Sequence, residues 1–243
     1  MKSFLLALVV GLMLGGTTVS VEVSTRNVDI RAADGVTLKG TYFSPGRRGP
    51  AILLLHQCNL TRQAWDGLAG NLVGAGFHVL TVDYRGYGES GGPRDPELMR
   101  AERPKWPGDV DAMFASLLAQ PDVDRSRVAL GGASCSVAQS SELASRRPEV
   151  KALIELSGSA SEAGKAYVAR TPALAVFGAA AEGDGNAPAG ISALVGASGH
   201  PRSTMKIYAG AEHGVPMFAK NPDLLPRIVS WLETVLMGGG TTN

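Results

Sequence analysis

The chain has 243 residues, 44% hydrophobic and 19% charged, which suits one domain with a sizeable buried core. Its formal net charge is +1 and no basic run exceeds two residues, so there is no electrostatic basis for binding nucleic acid or an anionic membrane surface. Two cysteines are too few for a disulfide-dependent scaffold, and no Cys/His spacing resembles a zinc site.

The first twenty residues differ from the rest. Met1-Lys2 gives a positive start, Phe4 to Leu14 is almost wholly apolar, and small and polar residues follow through Ser20. This is the layout of a secretory signal peptide. The alternative is an uncleaved anchor, but the apolar run is only about half of the roughly 20 residues a spanning helix needs. Residues 1–20 are therefore expected to be removed. Residues 21–243 would form the mature domain, secreted or periplasmic and free of the membrane after cleavage.

Along the mature chain, residues 21–32 alternate as a strand, Asp34-Gly35 signals a turn, and residues 36–43 return as a second strand. Pro45-Gly46 breaks the chain. Residues 51–55 form a continuous apolar run, as a strand buried on both faces requires. A helix is expected over 61–75, ending at Gly74 and Gly76. A buried strand follows at 77–82. Residues 86–108 are rich in Gly, Pro and charge and read as a long loop or short excursion. A helix covers 110–118.

The alternation then repeats: strand 128–130, helix 136–145, strand 151–156, helix 161–169, strand 173–177, a weak helix at 191–195, strand 204–208 and a periodic closing helix at 222–236. Eight strands alternating with helices imply an α/β fold. Its sheet is mainly parallel and covered on both faces, with an antiparallel edge from the opening hairpin. Ligand sites in such sheets lie beyond the carboxyl ends of strands. The segments of interest are therefore 56–61, 83–92, 131–136, 178–188 and 209–215.

The most informative stretch is Leu130-Gly131-Gly132-Ala133-Ser134-Cys135-Ser136, where a strand runs into a serine among small residues and a helix begins at once. It resembles the Gly-x-Ser-x-Gly nucleophile elbow of the α/β-hydrolase family, with Ser136 standing where the final glycine would be. In such a turn the serine hydroxyl sits above the sheet, and the next N–H, here that of Cys135, faces a developing oxyanion. Two other readings stand beside this one. Ser134 could be a helix N-cap and nothing more. Alternatively, Cys135 could be the nucleophile, as cysteine is in dienelactone hydrolases, although Ala133 and Val137 would then occupy the glycine positions.

A serine nucleophile needs a base. There are four histidines, at 56, 78, 200 and 213. The resemblance selects His213, in Ala211-Glu212-His213-Gly214 directly after the last strand. The acid that orients the base would come from the loop after strand 173–177, which holds Glu182 and Asp184. Asp184, four residues before Pro188, is favoured over Glu182. The order Ser134, Asp184, His213 is the family's order.

Two further segments extend the resemblance. Leu53-Leu54-Leu55-His56-Gln57-Cys58 is similar to the family's first oxyanion loop, with Gln57 in place of the glycine of His-Gly. Some relatives of the dienelactone hydrolase type look as though they carry His-Gln here. The resemblance places the second oxyanion N–H at Cys58, or at Gln57 as the alternative, and makes His56 a structural hydrogen-bonding residue. Asp83-Tyr84-Arg85-Gly86-Tyr87-Gly88-Glu89-Ser90 matches the Asp-x-Arg-Gly-x-Gly-x-Ser segment, with Asp83 and Arg85 expected to anchor loops. If the resemblance is right about the oxyanion hole, Cys58 and Cys135 lie close together. In an exported protein they could then form a disulfide; the alternative is two small buried thiols.

Taken together, the resemblance implies a serine hydrolase acting on an ester-like bond, carboxylic ester or lactone. The substrate would be a small molecule, and no metal or organic cofactor is implied. The short segment between 156 and 172 implies no large cap domain, and residues 91–107 would supply one pocket wall. A non-catalytic member of the same fold is the alternative that Gln57 and Ser136 keep open. Oligomeric state is not legible.

Overall fold

The computed structural model describes residues 23–238. The expected signal peptide, residues 1–20, lies outside the described residues. Eight strands form one sheet: β1 (Ser24–Arg31), β2 (Thr37–Ser44), β3 (Gly49–Leu55), β4 (His78–Val82), β5 (Val123–Ala133), β6 (Val150–Leu156), β7 (Ala175–Ala181) and β8 (Thr204–Tyr208). Their order is β1-β2-β4-β3-β5-β6-β7-β8. β1 and β2 pair antiparallel, β2 joins β4 antiparallel, and all later neighbours are parallel. The helices are α1 (Asp66–Gly74), α2 (Pro96–Glu102), α3 (Trp106–Leu118), α4 (Ser136–Arg146), α5 (Glu162–Arg170), α6 (Ala187–Ala197), α7 (Met217–Lys220) and α8 (Leu224–Leu236).

The central strands are apolar on both faces because both faces are covered. Ala51, Leu53 and Leu55 of β3 join the cluster beneath α3, α4, α5 and α6, which includes Val110, Phe114, Leu143, Val168 and Leu194. Ile52 and Leu54 enter the opposite cluster with Leu68 and Leu72 of α1 and Ile228, Trp231 and Leu232 of α8. In α8, Leu224, Ile228, Trp231, Leu232 and Leu236 are buried at helical spacing.

Several elements extend beyond their sequence signals. β5 continues through Gly131 and Gly132, which pair with Leu54 and Leu55. A Cβ on Gly131 would lie 2.5 Å from Leu54 Cδ2, so the absence of a side chain is a packing requirement inside a strand. β7 likewise runs through Gly178 to Ala181, so the loop that holds Asp184 begins at Glu182 and not at Gly178. The helix expected over 61–75 opens as a 3₁₀ turn, Arg62–Trp65, before α1. The segment 86–108 contains α2, capped by Asp95, whose side chain accepts the N–H groups of Glu97 and Leu98. α6 is longer than its weak periodicity suggested. The closing segment is split into α7 and α8. Only α5 separates β6 from β7, so there is no large cap. No helix among the described residues is long and apolar enough to cross a membrane.

One buried group departs from the apolar rule. Glu155 on β6 is fully buried, opposite Gly132 of β5 and Gly178 of β7. Its carboxyl lies 2.7 and 2.9 Å from Ser140 Oγ of α4. Burial pushes its pKa well above the usual carboxylate range, while the Ser140 contact partly opposes this. A neutral Glu155 can donate to Ser140 Oγ, which in turn donates to the Ser136 carbonyl at 2.9 Å. A folded-state pKa raised above the unfolded one stabilises fully below the unfolded value and is lost as pH rises through the folded value. Glu155→Gln should therefore be more stable than wild type at neutral and mildly alkaline pH. It should also flatten the loss of stability above about pH 5; urea midpoints from pH 4 to 9 measure this.

Candidate active site

The turn between β5 and α4 is sharply bent. Ser134 has φ +56°, a left-handed conformation that non-glycine residues rarely adopt. Its surroundings hold it there. Ser134 N–H donates to the Leu156 carbonyl at 2.8 Å. A Cβ on Gly132 would come within 2.5 Å of the Ser136 carbonyl, and one on Gly158 would collide with the Ser134 carbonyl. The conformation sets the hydroxyl at the carboxyl edge of the sheet, half-buried, at the start of α4.

Three loops converge there. Ser134 Oγ lies 2.6 Å from His213 Nε2, and His213 Nδ1 lies 2.8 and 2.9 Å from the two carboxylate oxygens of Asp184. The carboxylate can only accept from Nδ1–H, so Nε2 is left to accept a hydrogen bond from the serine hydroxyl. The Asp184 side chain is 11% exposed and that of His213 is 43%, so the imidazole faces solvent while the carboxylate is sheltered. Glu182 is exposed and reaches β8 only through its N–H to the Tyr208 carbonyl. Of the two carboxylates weighed, it is Asp184 whose side chain contacts His213. Of the other histidines, His78 is buried against Tyr42, and His200 lies in the loop between α6 and β8.

Cys58 and Cys135 form a disulfide, with Cα atoms 6.0 Å apart and 77 residues between them in sequence. The sulfur of Cys135 is thereby committed to the bridge, which removes the cysteine-nucleophile alternative. Among the described residues, neither cysteine N–H donates to a protein acceptor. Ser136 is not merely a small stand-in for glycine. It is fully buried, and its Oγ donates to the His56 carbonyl at 2.6 Å and lies 2.9 Å from the Tyr84 hydroxyl. Sequence reasoning found no such role, because nothing in the local pattern signals a bond across 80 residues.

The loops after β4 are held by buried ion pairs. Asp83 accepts the Arg62 N–H at 2.7 Å and the Glu89 N–H at 3.0 Å, and pairs with the Arg62 guanidinium. Arg85 makes a bidentate pair with Asp109, both bonds 2.6 Å, and also meets Asp34 and Glu102. Asp83 and Arg85 thus anchor loops, as the sequence pattern implied. A cavity of about 270 Å³ opens beside Cys58, walled by Tyr87 and by Pro96, Met99, Arg100 and Arg103 of the 91–107 segment. A larger one, about 520 Å³, lies between β8 and α8; neither cavity is lined by Ser134, His213 or Asp184. Among the described residues, no three His, Cys, Asp or Glu side chains cluster as a metal site would require.

Comparison with known proteins identifies the fold. The structure superposes on an α/β hydrolase from Penicillium sp. sh18 with TM-score 0.70 and 16% identity, covering 88% of this chain and 99% of the other. A predicted CIB-like hydrolase from Thermoplasma acidophilum gives 0.69 at 18% identity, covering 88% and 100%. The Pyrococcus furiosus esterase Pf2001 gives 0.68 at 16%, covering 93% and 96%. The protein therefore has the α/β-hydrolase fold. No protein-family model matches the sequence. Among curated proteins, an uncharacterised Mycobacterium tuberculosis protein is 36% identical over 131 residues, covering 53% of this chain and 44% of the relative. A thiohydrolase of Arthrinium phaeospermum is 28% identical over 131 residues, covering 54% and 42%. The chain spans less than half the length of these curated relatives.

Two measurements test the supports of this site. Thiol titration of the denatured, unreduced chain should find no free thiol, and two after reduction. Reduction should lower folding stability by about 2–4 kcal/mol. Ser136→Ala leaves the His56 carbonyl and the Tyr84 hydroxyl short of a partner, and should cost about 1–3 kcal/mol in urea unfolding.

Proposed function

We propose that this protein is a serine hydrolase that cleaves an ester-like bond, a carboxylic ester or lactone, through an acyl-enzyme. The observation that carries the proposal is the continuous hydrogen-bonded chain from Ser134 Oγ through His213 to Asp184, built from three separate loops. In this mechanism Ser134 Oγ attacks the carbonyl carbon as His213 Nε2 takes its proton. Asp184 fixes the ring orientation and stabilises the imidazolium. The N–H groups of Cys58 and Cys135 bind the oxyanion. His213 then returns the proton to the leaving alcohol. Water, deprotonated by the same imidazole, releases the acid and restores Ser134.

The substrate is a small molecule that reaches Ser134 past the cavity beside Cys58, with the arginines and Met99 of the 91–107 segment as its outer wall. The thiohydrolase relative is a reason to include thioesters beside esters and lactones in a substrate panel. Export through cleavage after residue 20 is part of the proposal, and the Cys58–Cys135 bridge fits an oxidising compartment.

A chromogenic short-chain ester and a fluorophosphonate probe test the reading. Wild type should turn over the ester and be labelled at Ser134. Ser134→Ala should abolish both. His213→Ala and Asp184→Asn should each lower kcat by about 10³-fold or more with the fold intact. A folded wild type with neither turnover nor labelling would instead be a non-catalytic binding protein of this fold.

A further inference from the structure

We infer that Gln57 is a positioning residue for the proposed reaction, its side-chain amide fastening the loop of His213 to the loop that carries the Cys58 N–H. The inference rests on the hydrolase reading and concerns a residue that departs from the His-Gly pattern of the fold's first oxyanion loop.

Gln57 lies two residues past the end of β3 and is 1% exposed. Its Oε1 accepts the Val215 N–H at 2.9 Å, two residues beyond His213, and its Nε2 donates to Asn59 Oδ1 at 2.8 Å. The backbone of 213–215 is shaped around this amide. Gly214 has φ +70°, and a Cβ there would overlap Gln57 Oε1. The main chain of Gln57 is held as firmly. His56 Nδ1–H donates to the Gln57 carbonyl at 2.8 Å, while His56 Nε2 accepts the Tyr84 N–H at 3.1 Å. Those two contacts specify one neutral tautomer.

The same loop is joined to the Ser134 turn by the disulfide and by the bond from Ser136 Oγ to the His56 carbonyl. Ser134 and His213, 79 residues apart, are therefore each located against residues 56–58. Gln57 makes the only side-chain hydrogen bond found between that loop and residues 213–215 among the described residues. A glycine at 57 would leave the Val215 N–H without this acceptor. Reaction rates depend steeply on the alignment of reacting groups, so the bond should act on the chemical step more than on substrate binding.

The substrate is unidentified, so the test uses the fluorophosphonate probe. Its phosphorus bonds to Ser134 Oγ, fluoride leaves, and the hydroxyl proton goes to His213. The maximal labelling rate and the half-saturating concentration are measured separately, with the thermal midpoint recorded for each variant. Gln57→Met keeps the length but lacks the acceptor. It should slow maximal labelling by about tenfold or more, while half-saturation stays within about threefold. Gln57→Glu, which when protonated reproduces both bonds, should restore the rate to within about threefold of wild type. Should Gln57→Met fail to fold, Gln57→Asn, too short to reach Val215, takes its place with the same expectation. A folded Met or Asn variant labelled at the wild-type rate overturns the inference, as does a folded Glu variant as slow as Met. Absence of labelling in wild type itself overturns the hydrolase reading, and this inference with it, before any Gln57 variant is compared.

Discussion

The geometry at the carboxyl edge of the sheet depends on one residue held where an L-amino acid is reluctant to go. A left-handed conformation at a non-glycine residue costs on the order of 1–3 kcal/mol. At Ser134 the turn is enforced from three sides: by the Leu156 carbonyl that takes its N–H, by Gly132 against α4, and by Gly158 against its own carbonyl. Relaxing the turn would mean breaking a strand-edge hydrogen bond and opening two close backbone contacts. The neighbours therefore fix what the local sequence would not prefer. The hydroxyl is held at the position where the His213 imidazole meets it.

The rest of the site is a matter of holding independent loops in register. Loop 56–58 is the common reference. It is tied to the Ser134 turn covalently and by Ser136, to the His213 loop by Gln57, and to the loop after β4 through His56 and the Tyr84 N–H. The loop after β4 is secured in turn by Asp83 and Arg85, whose buried charges are paired with Arg62 and Asp109. A buried ion pair is costly to break, because removing one partner leaves the other charge buried and uncompensated. Here each one is near a loop that must keep its shape. The groups proposed to change protonation during the reaction are less buried than these supports, the His213 side chain being 43% exposed.

Gln57 and Ser136 are the two departures from the family's glycine pattern. Each turns out to carry a side chain that bonds across the site to a partner distant in sequence. A motif position specifies what a turn tolerates. It does not specify what a substituted side chain finds on the other side of the cleft.

Alternation of apolar runs and helical periods was enough to give eight strands, a covered parallel sheet and the antiparallel opening hairpin, since burial on two faces writes itself into local composition; the shortness of 156–172 argued against a large cap there. Ser134, Asp184 and His213 could be singled out because each follows a strand end in the order the family resemblance implies; their catalytic roles belong to the proposal. Strand lengths were not legible: glycines at 131, 132 and 178 look like breakers, and only the packing of Leu54, α4 and Ile191 against their missing side chains makes them strand. The sequence also could not state the hydrogen bonds that join loops 56–58, 134–136 and 213–215. The bridge between Cys58 and Cys135, 77 residues apart, was raised through the resemblance as one of two alternatives, and the tertiary structure decides for it. Such contacts depend on the three-dimensional convergence of strand ends, which no local periodicity encodes.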